Sequence, residues 1–363
     1  MSAPHVPGEP PLDPTRVMPR VGGPGAPPSA RAPEPRGRRG RGRPVRRRGR
    51  AGTALRFLLL LLLLVLVALL VVAALAWARI DKVAAVPDDP GSAASAGKVY
   101  LLVGSDSRED LTPEERRELG TGSTEGRRTD TIMLLHLPLD RGRPALISVP
   151  RDSLVDIPGV GEDRINAAYA VGGAPLLVET LQENTGVAID DYVEIGFGGF
   201  ARVVDALGGV ELCLDEAIAD DRAHIDLPAG CQQLAGPDAL GYARARYFDP
   251  RGDLGRVERQ REVLGAIVDE AMSPATMLNP VRATRLALAG GDALTIDDGT
   301  GPLDLARFGW GMARVSTGRG DTLTVPVGEV ANTVQWDDEA AGELWAALVD
   351  GREVPARLLE DDA

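Results

Sequence analysis

The chain has 363 residues, with 53 acidic and 40 basic side chains, a net charge of −13 and only two cysteines. So acidic a chain argues against nucleic acid as its ligand, and two distant cysteines without partners at zinc spacing argue against a structural zinc centre. The charge is unevenly placed: 38 of the 40 basic residues are arginine, and 13 of these lie in the first 56 residues beside only three acids.

Residues 1–56 are rich in proline, glycine and arginine and almost free of aromatics, the composition of a disordered tail. Residues 57–78 carry no charge and lie between Arg56 and Arg79. As a helix they would extend about 33 Å, enough to cross a bilayer once. Nine arginines between Arg36 and Arg50 hold the N-terminus on the cytoplasmic side. Everything after Arg79 is then extracellular, on a single-pass cell-membrane anchor. The basic tail suits anionic lipid headgroups at the inner surface. A cleaved signal peptide fits less well, because the apolar run and the tail before it are both too long.

Residues 79–97 read as a linker, and residues 352–363 as a C-terminal tail. Between them, 98–351 alternate apolar strand-like runs with helical stretches, as in one α/β domain whose sheet is covered by helices. Strands are expected at 98–104, 130–137, 145–149 and 209–214. One helix is expected at 174–186, stopped by Gly186, and others begin near Phe197, Asp253, Pro274, Leu303 and Asp338. Cys213 and Cys231 both lie on the oxidising outer side, which predicts a disulfide between them.

Polar groups recur at the ends of the apolar strands, where α/β proteins place ligands. The first strand ends in Gly104-Ser105-Asp106-Ser107-Arg108, the second is entered through Arg127-Arg128-Thr129-Asp130, and the third leaves into Arg151-Asp152. Aspartate beside arginine suits a metal-bridged phosphate: carboxylates hold a hard cation and arginine forks take the remaining oxygens. A further six arginines and no lysine fall between Tyr242 and Arg261. Arg244 and Arg246, two apart, share a face if this stretch is extended. Asp253 can cap a helix that puts Arg256 and Gln260 on one side, near an N-terminus favourable to anions. Arg259 and Arg261 fall elsewhere around that helix and read as surface charges, while Val257, Leu264 and Val268 face the core. HExxH, CxxC, Walker and GxSxG motifs do not occur. The only histidines beyond the apolar run are His136, inside a strand, and His224, in a polar loop, so a Ser-His-Asp triad is not expected.

In order, the blocks GSDSR, RRTDTIMLLHL, ALISVPRDSLVDIPG, RINAAYAVGG, DALGGVELCL and YARAR…DLGRVERQ resemble the LytR-CpsA-Psr family over roughly 98–351. The resemblance implies a three-layer α-β-α arrangement around a central mixed sheet. It also implies a phosphotransferase that moves a glycopolymer phosphate from a polyprenyl-pyrophosphate carrier to the muramyl 6-hydroxyl of peptidoglycan. Asp106 and Asp130 would hold Mg²⁺, with Mn²⁺ as the alternative. Arg128, Arg151, Arg244, Arg246, Arg256 and Gln260 would bind the pyrophosphate, and Asp130 or Asp152 would take the acceptor proton. The polar insert at 108–126 is longer than in many relatives. Two other readings stay open: a hydrolase of lipid pyrophosphate, and a membrane-anchored binding or regulatory protein of the cell envelope.

Overall fold

The long charge-free run becomes the longest helix. In the computed structural model, which describes residues 49–89, 91–106, 111–119, 129–139, 142–245, 253–330 and 333–360, helix α1 spans Gly49–Trp77. Its Thr53–Trp77 portion is long and apolar enough to cross a membrane.

After α1 come β1 (Asp81–Val83), β2 (Gly97–Ser105), α2 (Pro113–Glu118), β3 (Thr129–Pro138) and β4 (Ala145–Val149). A hairpin of β5 (Leu154–Ile157) and β6 (Gly161–Arg164) leads into α3 (Ile165–Thr185), then β7 (Asp191–Gly196) and α4 (Phe197–Leu207). Next are β8 (Val210–Leu214), β9 (Ile218–Asp220), β10 (Ile225–Leu227), β11 (Gly230–Leu234), α5 (Gly236–Arg244) and α6 (Asp253–Met272). The chain continues with α7 (Pro274–Met277), α8 (Pro280–Ala293), β12 (Leu294–Asp297), α9 (Pro302–Arg314), β13 (Asp321–Thr324), β14 (Val327–Val330), β15 (Val334–Trp336), α10 (Asp338–Val349) and α11 (Ala356–Glu360).

Seven strands form one mixed sheet in the order β1-β12-β7-β2-β3-β4-β13. Its centre follows from strict alternation in β2. Val99, Leu101 and Val103 point to the face covered by α3 and α10, where they pack with Ile132, Leu134, Leu177 and Leu344. Tyr100 and Leu102 point to the other face, packing with Met133, Leu135, Val193 and Met312. Two buried layers on opposite sides of one sheet make the three-layer arrangement.

The strands expected at 98–104, 130–137 and 145–149 are the three longest continuous apolar runs of this sheet, and they appear within a residue or two. The run at 209–214 also forms a strand, but in a separate ribbon with β11. Helix α3 ends as expected, with Gly186 left-handed at φ 70° and its N–H bonded to Gln182 O. It starts earlier than expected, because a break at Gly173 (φ 67°) lets the chain turn before Pro175 and join two helical segments. Within the stretch read as a linker, β1 joins the sheet edge beside β12, and Ala85 is buried.

Candidate active site

The site assembles at one edge of the sheet. β2 runs out at Ser105 and is followed by half-buried Asp106; its antiparallel neighbour β3 begins at Thr129, with Gly104 opposite Thr131 and Ser105 opposite Thr129. The register shift between those pairs is a bulge, which bends the strand and re-aims the side chains beside it. The Thr129 hydroxyl serves Gly104 O at 3.1 Å and Thr131 O at 2.9 Å, fixing this corner. Asp106 and Asp130 therefore leave from the ends of adjacent strands.

β4 delivers Arg151 to the same place. Its Nη1 lies 2.5 Å from Asp130 Oδ1, and its Nε lies 3.5 Å from Asp152 Oδ2. Asp152 also meets Arg164 at 3.4 Å. The four groups form a run of alternating charge, Asp130–Arg151–Asp152–Arg164, that holds the Arg151 guanidinium between two carboxylates. The backbone secures the turn: Ile165 N–H donates to Ser153 O at 2.8 Å and Asn166 N–H to Arg151 O at 3.2 Å.

The arginine cluster enters from the helical side. Arg244 is the last residue of α5, not part of a strand as its spacing suggested; Gly236-Pro237 start a helix that runs through the block. Its guanidinium stacks over the Phe197 ring at 4.8 Å and donates to Leu119 O at 3.2 Å. Leu119 follows α2, which lies in the polar insert and is started by a capping box between Thr112 and Glu115. Leu111 and Leu119 on either side of α2 are buried against Phe197, Ala201 and Leu240. Part of the insert is thus packed structure that buttresses Arg244.

Helix α6 begins at Asp253, as expected, and buries Arg256 to 4% exposure in its first turn, with Gln260 one turn later. Tyr242 of α5 donates to Glu262 of α6 at 2.6 Å, clamping the two helices. Burial, then the Glu262 carboxylate, pushes the Tyr242 phenol well above its ordinary range. Arg259 corrects the sequence reading: it is 5% exposed and donates to Ala245 O at 2.5 Å, so it anchors the end of α5 instead of lying on the surface.

Between the sheet and α4, α5 and α6 lies a cavity of about 290 Å³. Its lining brings the polar groups of Asp130, Arg151, Arg244, Arg256 and Gln260 together with the apolar side chains of Leu102, Met133, Ile195, Phe197, Phe200, Leu240 and Leu264. The LytR_cpsA_psr family pattern matches residues 78–343, a span that includes every one of these elements. The chain belongs to the LytR_cpsA_psr family.

Among its relatives, the chain is 44% identical over 287 residues to the probable cell wall biosynthesis protein LcpB of Corynebacterium glutamicum, covering 77% of this chain and 68% of that one. It is 33% identical over 274 residues to LcpA of the same organism, covering 67% of this chain and 52% of LcpA. It is also 38% identical over 174 residues to a polyisoprenyl-teichoic acid–peptidoglycan teichoic acid transferase, TagU, of Enterococcus faecalis, covering 48% of this chain and 53% of TagU. The chain thus spans about half the length of LcpA and of TagU. A LytR-Csp2A-Psr enzyme from Actinomyces oris shares the fold, with a TM-score of 0.58 at 24% identity, covering 74% of this chain and 96% of that one.

Of the residues expected at this LytR_cpsA_psr site, the cavity collects Asp130, Arg151, Arg244, Arg256 and Gln260. Asp152 stands behind Arg151, and Asp106 sits at the strand end beside the cavity. Arg128 and Arg246 lie outside the described residues. Two lining residues escaped sequence reasoning, Asp220 and Arg222. They sit at the tip of the β9–β10 hairpin, where Asp220 Oδ1 accepts from Arg222 N–H at 2.9 Å and Ala223 N–H at 3.1 Å. The Cys213–Cys231 disulfide joins β8 and β11 at the base of this hairpin. Nothing in a polar turn marks it as a cavity wall until the tertiary fold is known.

Among the described residues no group of three or more histidine, cysteine or carboxylate side chains is placed to hold a metal ion. Asp106 and Asp130 fit a different case: Mg²⁺ keeps few protein ligands and takes its remaining oxygens from water and phosphate. Two carboxylates on adjacent strand ends, beside a cationic pocket, suit a cation shared with a phosphate ligand.

Proposed function

We propose that the protein is a cell-wall phosphotransferase, moving a glycopolymer phosphate from a polyprenyl-pyrophosphate carrier to the 6-hydroxyl of muramyl residues in peptidoglycan. The observation that carries this reading is the mixed lining of one cavity: four arginines, two aspartates and a set of large apolar side chains. A lipid pyrophosphate combines the same two chemistries, charged oxygens and an apolar chain. The curated name of TagU, a transferase from polyisoprenyl-teichoic acid to peptidoglycan, supports the chemistry, and that of LcpB supports the process.

The chain's own residues account for each task in the transfer. The acceptor oxygen forms a bond to the sugar-proximal phosphorus as the bond from that phosphorus to the bridging oxygen breaks, and polyprenyl phosphate leaves. Such transfer depends on positioning and charge stabilisation more than on a protein nucleophile. Arg151, Arg244 and Arg256 bind the phosphate oxygens; their forks stay charged at any working pH. Buried Arg256 adds its charge to the N-terminal end of α6, where free N–H groups favour anions. Asp130 lines the cavity and Asp152 does not, which supports Asp130 over Asp152 as the carboxylate that accepts the hydroxyl proton. Mg²⁺, held by Asp106 and Asp130 together with the phosphates, would neutralise charge on the pyrophosphate.

The test uses the full-length protein in lipid vesicles with a polyprenyl-pyrophosphate-linked sugar, Mg²⁺ and peptidoglycan glycan strands. Sugar phosphate covalently on the glycan, lost in Asp130→Asn and Arg244→Ala, is the expected result. Release of lipid phosphate without transfer would make the protein a hydrolase, and binding of the lipid without turnover would make it a binding protein.

A further inference from the structure

The sheet registers fix the end of the sheet at which the apolar helix joins the domain. α1 ends at Trp77 and β1 begins at Asp81, leaving residues 78–80 as the whole connection. Asp81 pairs with Thr295, Thr295 with Glu194, and Glu194 with Val103. The first residue of β1 therefore lies in the row just inside Ser105 and Gly196. β1 and β12 run parallel to each other and opposite to β7 and β2. The chain thus arrives from the apolar helix at the edge where β2 and β7 finish, which is the edge carrying Asp106, Asp130 and Arg151.

The junction has no slack. Residues 78–80 continue the last turn, with Ala78 N–H bonded to Ala74 O at 3.0 Å and Ile80 N–H to Trp77 O at 3.3 Å. Even stretched, three residues span only about 10 Å. Val72, Ala76 and Ile80 recur at four-residue spacing and, with Trp77, are the half-covered positions at this end of the helix. Trp77 and Ile80 pack against the apolar layer that includes Tyr100, Val193, Ile296 and Met312. A Cβ on Gly291 would lie 3.1 Å from Ala76 Cα, so α8 and α1 touch backbone to backbone through this glycine. Arg79 closes the contact with Asp292 at 2.9 Å.

We infer that the domain is seated on its membrane helix rather than tethered to it, with the catalytic edge against the leaflet, so that a lipid-linked substrate enters the cavity sideways from that leaflet. The opposite edge, where β2 starts at Gly97, stands roughly 30 Å further out, nine residues of strand away. The seat rests on geometry alone; the entry route rests on the lipid-linked substrate proposed above.

Both halves can be tested on the full-length protein in phosphatidylcholine–phosphatidylglycerol vesicles. The native cysteines are bonded to each other, so single-cysteine variants accept a fluorophore. Glu114→Cys reports the catalytic edge, since Leu111 beside it lines the same small pocket as Asp81. Leu303→Cys reports the far edge, next to Asp304, which meets Lys98 at the start of β2 at 3.7 Å. With a headgroup quencher in the lipid, strong quenching at 114 and weak quenching at 303 is expected; equal quenching, or the reverse, overturns the seat. A flexible Gly-Ser insertion after Ala78 should then cut turnover of a long-chain lipid-linked sugar about tenfold, as local concentration falls with tether length. It should leave a water-soluble short-chain analogue unchanged. Gly291→Leu, which wedges the junction without lengthening it, guards against a folding artefact and should act in the same direction. An unchanged long-chain rate in both variants overturns sideways entry. If the unmodified protein turns over neither substrate, the proposed function fails while the quenching still decides the seat.

Discussion

His136 makes the stability of this domain depend on pH in a way that one substitution should remove. It lies in the middle of the sheet, between Val99 and Ala145 on the neighbouring strands, and is fully buried. The chain at Gly97 presses on it, so closely that a Cβ there would come within 3.0 Å of its Nε2. Burial lowers its pKa from 6.5 to about 4. A histidine held neutral in the fold but free to ionise when unfolded makes the unfolded chain the better proton acceptor between those values. Stability is therefore complete above pH 6.5 and falls as pH drops towards 4; the gap corresponds to about 3 kcal/mol. His136→Leu keeps the site filled and removes the ionisable group. Urea unfolding of both proteins, followed by the fluorescence of the Trp336–Trp345 pair packed at 5.4 Å, measures the effect. The stability of wild type relative to the variant should drop by about 3 kcal/mol from pH 7 to pH 4. A difference that stays constant over this range would refute the reasoning, because carboxylates common to both proteins cancel.

Arg151 sits between the carboxylates of Asp130 and Asp152, and a lysine, with one point charge, cannot serve both. Arg151→Lys should lower kcat for transfer about 100-fold, and an unchanged kcat would remove Arg151 from the charge-stabilising group. Phe200→Asp places a carboxylate in the apolar wall and should raise KM for a long-chain lipid carrier roughly 30-fold, from about 2 kcal/mol of lost burial. The KM of a short-chain analogue should hold; equal loss with both substrates would mean that Phe200 supports the fold and not the lipid. Cys213→Ser opens a loop with a sequence separation of 18, which should cost about 3 kcal/mol in thermal unfolding. The same loss should appear in wild type on reduction, and a variant as stable as the oxidised protein would show that the bridge closes a loop already held by β8 and β11.

What the sequence showed and what it concealed separate along a physical line. β2, β3 and β4 were readable because central strands buried on both faces are written as continuous apolar runs, and Asp106, Asp130 and Arg151 drew notice because they stand at the ends of those runs. β1, β12 and β13 have three or four residues each and owe their strand conformation to neighbours far away in sequence. Local pattern carries no record of such pairing. Arg244 was placed in the right cluster but on the wrong element: two arginines in alternation fit a strand, yet Gly236-Pro237 and contacts with α4 and α6 make the segment a helix. Arg259 looked like a surface charge because charge is usually solvated; in the fold it is buried and donates to the carbonyl of Ala245, a partner the local sequence does not announce.

The apolar part of the cavity lay furthest from the sequence, since its wall residues are of the same types as the core. What separates a cavity from a core here is spacing between elements, and glycines set it. Gly241 of α5 faces the β9–β10 hairpin so closely that a Cβ would reach Ile225 and lie 2.8 Å from Ala223 O. That approach brings Asp220 and Arg222 onto the rim of the same cavity that Arg244, three residues further along α5, enters from the helical side. A contact permitted by a missing side chain thus places two charged residues that no strand-end motif announced. The arginine-rich block contributes to the site twice over: through the charges it carries, and through the glycine beside them that lets the hairpin close one side.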